Sequence, residues 1–94
     1  MSNEHKEDQF IEVVICTSSG FYPEEGAENM PVHQKLKVQL EKAGRALGIT
    51  DTSAFVATVD GRQLNFESSY VELGLTGHVE IDWGRSEGGG GSYA

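Results

Sequence analysis

One cysteine and only seven Lys or Arg side chains stand among 94 residues, and each scarcity closes off a class of function. Cys16 has no partner for an internal disulfide and lies inside an apolar run, so it reads as a small strand residue in a reducing compartment. No histidine lies near it in sequence to activate the thiol, and a catalytic role is not expected. The chain also lacks a Cys-x-x-Cys pair, a phosphate-binding loop and a Ser-His-Asp arrangement, so neither intrinsic enzymatic activity nor a bound cofactor is expected. Fifteen acidic side chains against seven basic ones give a net charge of −8, which repels phosphate backbones and excludes nucleic acid as an expected partner, while suiting solubility and partners with basic faces. No apolar run approaches the roughly 20 residues that span a bilayer, and the charged N-terminal segment lacks a signal-peptide core. No membrane partner and a cytoplasmic location are therefore expected.

The residues that are present make one small domain with a single core. Residues 1–9 form a charged lead without a strong apolar residue beyond Met1, expected to be disordered, and residues 10–83 carry the apolar positions. Phe10-Ile11-Glu12-Val13-Val14-Ile15-Cys16 is β-branched and reads as a strand, with Ile11, Val13 and Ile15 on one face. A turn at Thr17-Ser18-Ser19-Gly20 leads to a short second strand at Phe21-Tyr22. Val32, Leu36, Leu40, Ala43 and Leu47 recur at spacings of four, four, three and four, which predicts a helix over residues 31–47. Asn29 suits its cap, Pro31 its first turn and Gly48 its end. A strand follows at residues 54–59, then a hairpin turn at Asp60-Gly61, a short strand at residues 62–66 and a connection whose Tyr70, Leu73 and Leu75 plug one end of the core. The last strand, residues 78–83, alternates strictly, with Val79, Ile81 and Trp83 facing inward. One helix stripe and four or five strands imply an α+β fold in which a mixed sheet packs on one helix.

His78, Glu80 and Asp82 share one face of that last strand, but alternate positions lie about 7 Å apart and no other ligand converges on them, so a solvated strand face is expected and no metal site. His33 reads as a surface residue. Residues 84–94 are a glycine-rich tail, expected to be flexible, in which Gly88, Gly89, Gly90 and Gly91 precede Ser92-Tyr93-Ala94. Backbone without side chains can enter a narrow enzyme cleft in extended form. The same run also matches a common engineered linker, and both readings stand at this point.

The strand-helix-strand order, the Asp60-Gly61-Arg62-Gln63-Leu64 hairpin and an alternating strand running into glycines resemble the ubiquitin-like β-grasp family over roughly residues 10–91. The likeness is nearest to the bacterial ubiquitin-like modifiers encoded with E1-like, E2-like and JAB-type peptidase proteins. It implies a mixed four- to five-stranded sheet on one helix and a protein modifier conjugated through a C-terminal glycine. A JAB-type zinc peptidase would expose that glycine within Gly88, Gly89, Gly90, Gly91 and Ser92. An E1-like enzyme would then activate it with ATP, and an E2-like enzyme would pass it to amines of target proteins. The resemblance places Arg85, Glu80 and Asp82 as recognition residues for the E1- and E2-like partners, and Lys6, Lys35, Lys37 and Lys42 as the lysines available for chain formation. It also leaves two alternatives, a sulfur carrier with a C-terminal thiocarboxylate and a non-covalent β-grasp adaptor. Thr58, His78, Glu80 and Asp82 would replace ubiquitin's apolar recognition patch with a polar and acidic one, and Glu87 departs from the arginine-bearing ubiquitin tail.

Overall fold

The β-branched run forms β1 (Phe10–Thr17), and its alternation buries Ile11, Val13 and Ile15 almost completely. The computed structural model describes residues 9–85. Around β1 it arranges β2 (Gly20–Tyr22), β3 (Glu28–Pro31), β4 (Phe55–Val59), β5 (Arg62–Leu64) and β6 (His78–Arg85), with one helix among the described residues, α1 (Leu36–Leu47). The sheet order is β2-β1-β6-β4-β5, with β3 also paired to β1. β6 runs parallel to β1 and antiparallel to β4; every other pairing is antiparallel.

The sheet therefore has six strands rather than four or five, and the additional one is β3. β1 pairs with β2 through residues 15–17 and with β3 through residues 10–13, so β2 and β3 are two parts of one arm separated by residues 23–27. Asn29 and Pro31, expected at the start of the helix, belong to this arm instead. Proline lacks a ladder donor and is tolerated because β3 pairs on one side only. Its successor Val32 donates its N–H to the carbonyl of Gln9 at 2.7 Å, closing the ladder.

α1 accordingly begins at Leu36. Its N-cap, Lys35, supplies no side-chain cap. The exposed first-turn donors are met by backbone from the β5–β6 connection: the N–H of Leu36 donates to Ser68 O at 3.0 Å and that of Lys37 to Phe66 O at 3.0 Å. Tertiary contact thus sets the helix start, in place of local capping chemistry. The other end follows the sequence, with Gly48 left-handed at φ 73° and the N–H of Ile49 donating to Gly44 O at 2.9 Å.

Leu36, Leu40 and Ala43 of α1 pack on Ile11, Val13, Ile15, Ile81 and Trp83 from the sheet. Trp83 also meets Phe55 edge-to-face at 5.1 Å. Tyr70 and Leu75 are buried in the core with Leu73 packed against it, and Val32 joins from just before α1. Leu47, the last of the helix stripe, is only half-buried. The Asp60-Gly61 connection has positive φ at both residues, 54° and 80°, the backbone that a two-residue hairpin demands. Gln39 is fully buried on α1, a position the apolar stripe does not mark; its Nε2 donates to Glu28 Oε1 at 3.0 Å and ties the helix to β3. Glu28 in turn meets Lys42 Nζ at 3.5 Å.

Two substitutions test this packing by chemical denaturation. Leu40→Ala removes a side chain 3% exposed from the middle of the core and is expected to cost about 2–5 kcal/mol. Gly44→Ala is expected to stabilise by about 0.5–1 kcal/mol. A β-carbon there would lie 3.5 Å from Trp83 Cη2 and 3.6 Å from the Ile49 carbonyl, ordinary contact distances, while helix propensity improves. Destabilisation by Gly44→Ala would show that the Trp83 ring sits closer to the helix than described.

Candidate functional site at the outer sheet face and the end of β6

One face of the sheet carries α1 and the other is open to solvent. Alternation along β6 puts Ile81 and Trp83 on the helix side and leaves His78, Glu80 and Asp82 exposed on the other. Strand register then fixes their neighbours. Glu12 pairs with His78, Val14 with Glu80, and Cys16 with Asp82, while Thr58 of β4 flanks Asp82 from the other side. Glu12 Oε1 lies 3.3 Å from His78 Nδ1, joining residues 66 positions apart in the sequence. Both side chains are more than half exposed, so the contact is solvent-screened.

The β6 side of this face carries Thr58, His78, Glu80 and Asp82, with Glu12 added from β1, while exposed Phe10 and Phe21 and the largely buried Val14 make the β1–β2 side apolar. No periodicity within one segment could place Glu12 there; only the parallel pairing of the first and last strands does. Among the described residues no group of three or more His, Cys, Asp or Glu side chains is placed to hold a metal ion.

Cys16 is half-buried on this same face. Burial pushes its thiol pKa up, and the carboxylates of Asp82 and Glu80 push it further in the same direction. A raised thiol pKa is the reverse of what a nucleophilic cysteine needs.

β6 continues two residues past Trp83, the boundary expected from alternation. Gly84 pairs with Val56 and Arg85 with Phe55, so the strand carries the chain to the margin of the sheet before the glycine-rich segment begins. Arg85 is in phase with Ile81 and Trp83 rather than with Glu80 and Asp82. The Asp51 carboxyl is held below its ordinary value by the backbone N–H and hydroxyl of Ser53, with a smaller contribution from the Arg85 charge. A shallow concavity at this end is nevertheless bordered by Arg85 together with Cys16, Thr58, Asp82 and Gly84. Of the three expected recognition residues, Glu80 and Asp82 share a face, and Arg85 sits at the end of the same strand.

Of the four lysines, Lys35 and Lys37 both approach Glu67, at 3.8 and 3.2 Å, and Lys42 approaches Glu28. All three are substantially exposed, so these pairs leave their amines accessible. Lys6 and the tail residues Gly88, Gly89, Gly90, Gly91 and Ser92 lie outside the described residues.

A mixed sheet with parallel first and last strands at its centre and one helix across a single face defines the β-grasp class. Comparison with solved structures narrows it to the ubiquitin-like form. The chain is similar to a de novo protein designed on the basis of ubiquitin (TM-score 0.65, 16% identity, 84% of this chain and 92% of that one). It is also similar to the ubiquitin of Caldiarchaeum subterraneum (TM-score 0.63, 12% identity, 82% and 94%). A third likeness is to a chain in a pParkin-pUb-UbcH7 complex (TM-score 0.63, 18% identity, 83% of this chain and 23% of that one). No family model matches, and no curated protein matches the sequence. The protein has the ubiquitin-like β-grasp fold, with an interrupted β2–β3 arm and acidic side chains along the outer side of β6.

The electrostatic account of Cys16 is checked by alkylation kinetics on the folded protein. Asp82→Asn removes a negative neighbour and is expected to speed iodoacetamide modification near neutral pH by about two- to fivefold. An unchanged rate would mean that the Asp82 charge does not govern the thiol.

Proposed function

We propose that this chain is a ubiquitin-like protein modifier whose reactive group is the carboxylate of a glycine in the run Gly88-Gly89-Gly90-Gly91. The observation that carries the reading is the exit of β6 through Gly84 and Arg85, on a ubiquitin-like fold, into a segment with four consecutive glycines three positions further on. A strand held on both sides by β1 and β4 anchors the base of that segment, and the glycines beyond it lack the β-carbons that hinder entry into a narrow cleft.

The chemistry belongs to the partners. A zinc peptidase of the JAB type polarises the scissile carbonyl, and its metal-activated water cleaves within Gly89, Gly90, Gly91 and Ser92, leaving a glycine carboxylate. An E1-like enzyme joins that carboxylate to the α-phosphate of ATP with release of pyrophosphate. A cysteine thiolate attacks the acyl adenylate and expels AMP, forming a thioester that an E2-like enzyme receives and a target amine resolves. Glu80 and Asp82 offer an acidic patch beside the tail for basic surfaces on these enzymes, and Arg85 marks the start of the segment they grip. Exposed Lys35, Lys37 and Lys42, with Lys6 in the N-terminal lead, are the amines through which copies would join. The same reading places the protein in the cytoplasm, as part of a bacterial conjugation system.

Replacing residues 88–91 with alanine tests the reading, because these positions follow β6 in the sequence and include none of the core residues. The variant is expected to keep the parent's unfolding midpoint and to keep its full intact mass when incubated with the peptidase, whereas the parent loses the residues after its scissile bond. Cleavage of both at equal rates would remove the glycine requirement on which the reading rests.

A further inference from the structure

Residues 23–27 serve neither the sheet ladder nor the C-terminal chemistry. They interrupt the arm that pairs with β1, and a turn closed by the Gly26 N–H donating to Pro23 O at 3.2 Å folds them beside the end of α1. Between this insertion and the helix lies a cleft of about 530 Å³ walled by Tyr22, Pro23, Ala27, Ala46 and Leu47. Its size lies within the range of clefts that hold small ligands and peptide side chains, about 300–1,000 Å³.

The lining of this cleft mixes apolar and polar surface, and its charge is of one sign. Glu24, Glu25 and Glu28 line it, and no lysine, arginine or histidine does. Glu28 is already engaged by Gln39 and Lys42. Glu24 and Glu25 are exposed and make no ion pair among the described residues. Apolar walls beside two uncompensated carboxylates suit a side chain with an apolar stem and a cationic head. Arginine fits better than lysine, since its guanidinium is less strongly hydrated, binds carboxylates in a two-pronged fashion and stacks on an aromatic ring such as that of Tyr22.

We propose that the cleft between the β2–β3 insertion and the C-terminal end of α1 docks an arginine-bearing segment of a partner protein, with the arginine stem on the Tyr22–Pro23 wall and its head between Glu24 and Glu25. This surface uses no residue of β6 or of the tail. It operates whether or not the tail is conjugated.

The test is a titration of isotope-labelled full-length protein with the peptide acetyl-Ala-Arg-Phe-Arg-Ala-amide, followed through backbone amide shifts. Saturable shifts are expected at residues 21–28 and 46–47. A peptide with both arginines replaced by glutamate is expected to produce none. Glu24→Gln combined with Glu25→Gln is expected to weaken binding by about tenfold. Ala46 is exposed, so Ala46→Arg should leave the spectrum of the core intact while filling and neutralising the cleft, abolishing binding. Absence of saturation at millimolar peptide, shifts centred instead on Glu12, Glu80 and Asp82, or binding unaffected by Ala46→Arg would each overturn the proposal.

Discussion

The parallel pairing of β1 with β6 is the contact on which the remaining structure depends. It joins Glu12 to His78 and Cys16 to Asp82 across nearly the whole domain, so its loop-closure cost is recovered only when the intervening helix and hairpin are also in place. Once made, it puts Val13 beside Val79 and Ile15 beside Ile81, creating the apolar strip on which Leu36, Leu40 and Ala43 settle. It also leaves β6 an open edge for β4, whose pairing at Ala57–Trp83 brings the indole against Phe55 and beneath Gly44. Core, sheet order and the exit point of the tail are three consequences of one strand pairing.

The same pairing divides the protein's chemistry between two faces. Inward positions of β6 are spent on packing, and outward ones gather carboxylates around Cys16 and the base of the tail. Those carboxylates add to burial in raising the Cys16 thiol pKa. On the opposite edge, the interrupted β2–β3 arm gives a second acidic surface of different character, a cleft of mixed lining close to the helix end.

Elements whose information is local were legible in the sequence. The alternation of Ile11, Val13 and Ile15, the Asp60-Gly61 turn, the left-handed Gly48 and the inward Ile81 and Trp83 are each dictated by neighbours a few residues away. What escaped depends on distant partners. Pro31 was compatible with a helix start or an edge strand, and the decision came from pairing with Phe10; Leu36 became the first helical residue because carbonyls at positions 66 and 68 cap its turn. Buried Gln39 breaks the apolar stripe because Glu28 waits for it on β3. The outer site was readable along β6, where Glu80 and Asp82 alternate with core residues. Glu12 and the continuation through Arg85 were not, since glycine and arginine carry no strand signal and owe their place to Val56 and Phe55.

The central claim is that a glycine carboxylate at the end of this fold is the group that reacts. The most direct measurement incubates the chain truncated after Gly91, ATP and the E1-like enzyme of the same organism, and resolves the products by mass with and without a thiol reductant. The account predicts a covalent adduct of the two proteins that requires ATP and disappears on reduction, and no adduct from the chain still carrying Ser92, Tyr93 and Ala94. Equal adduct from both chains, or a thiocarboxylate on the free protein in place of an adduct, would contradict it.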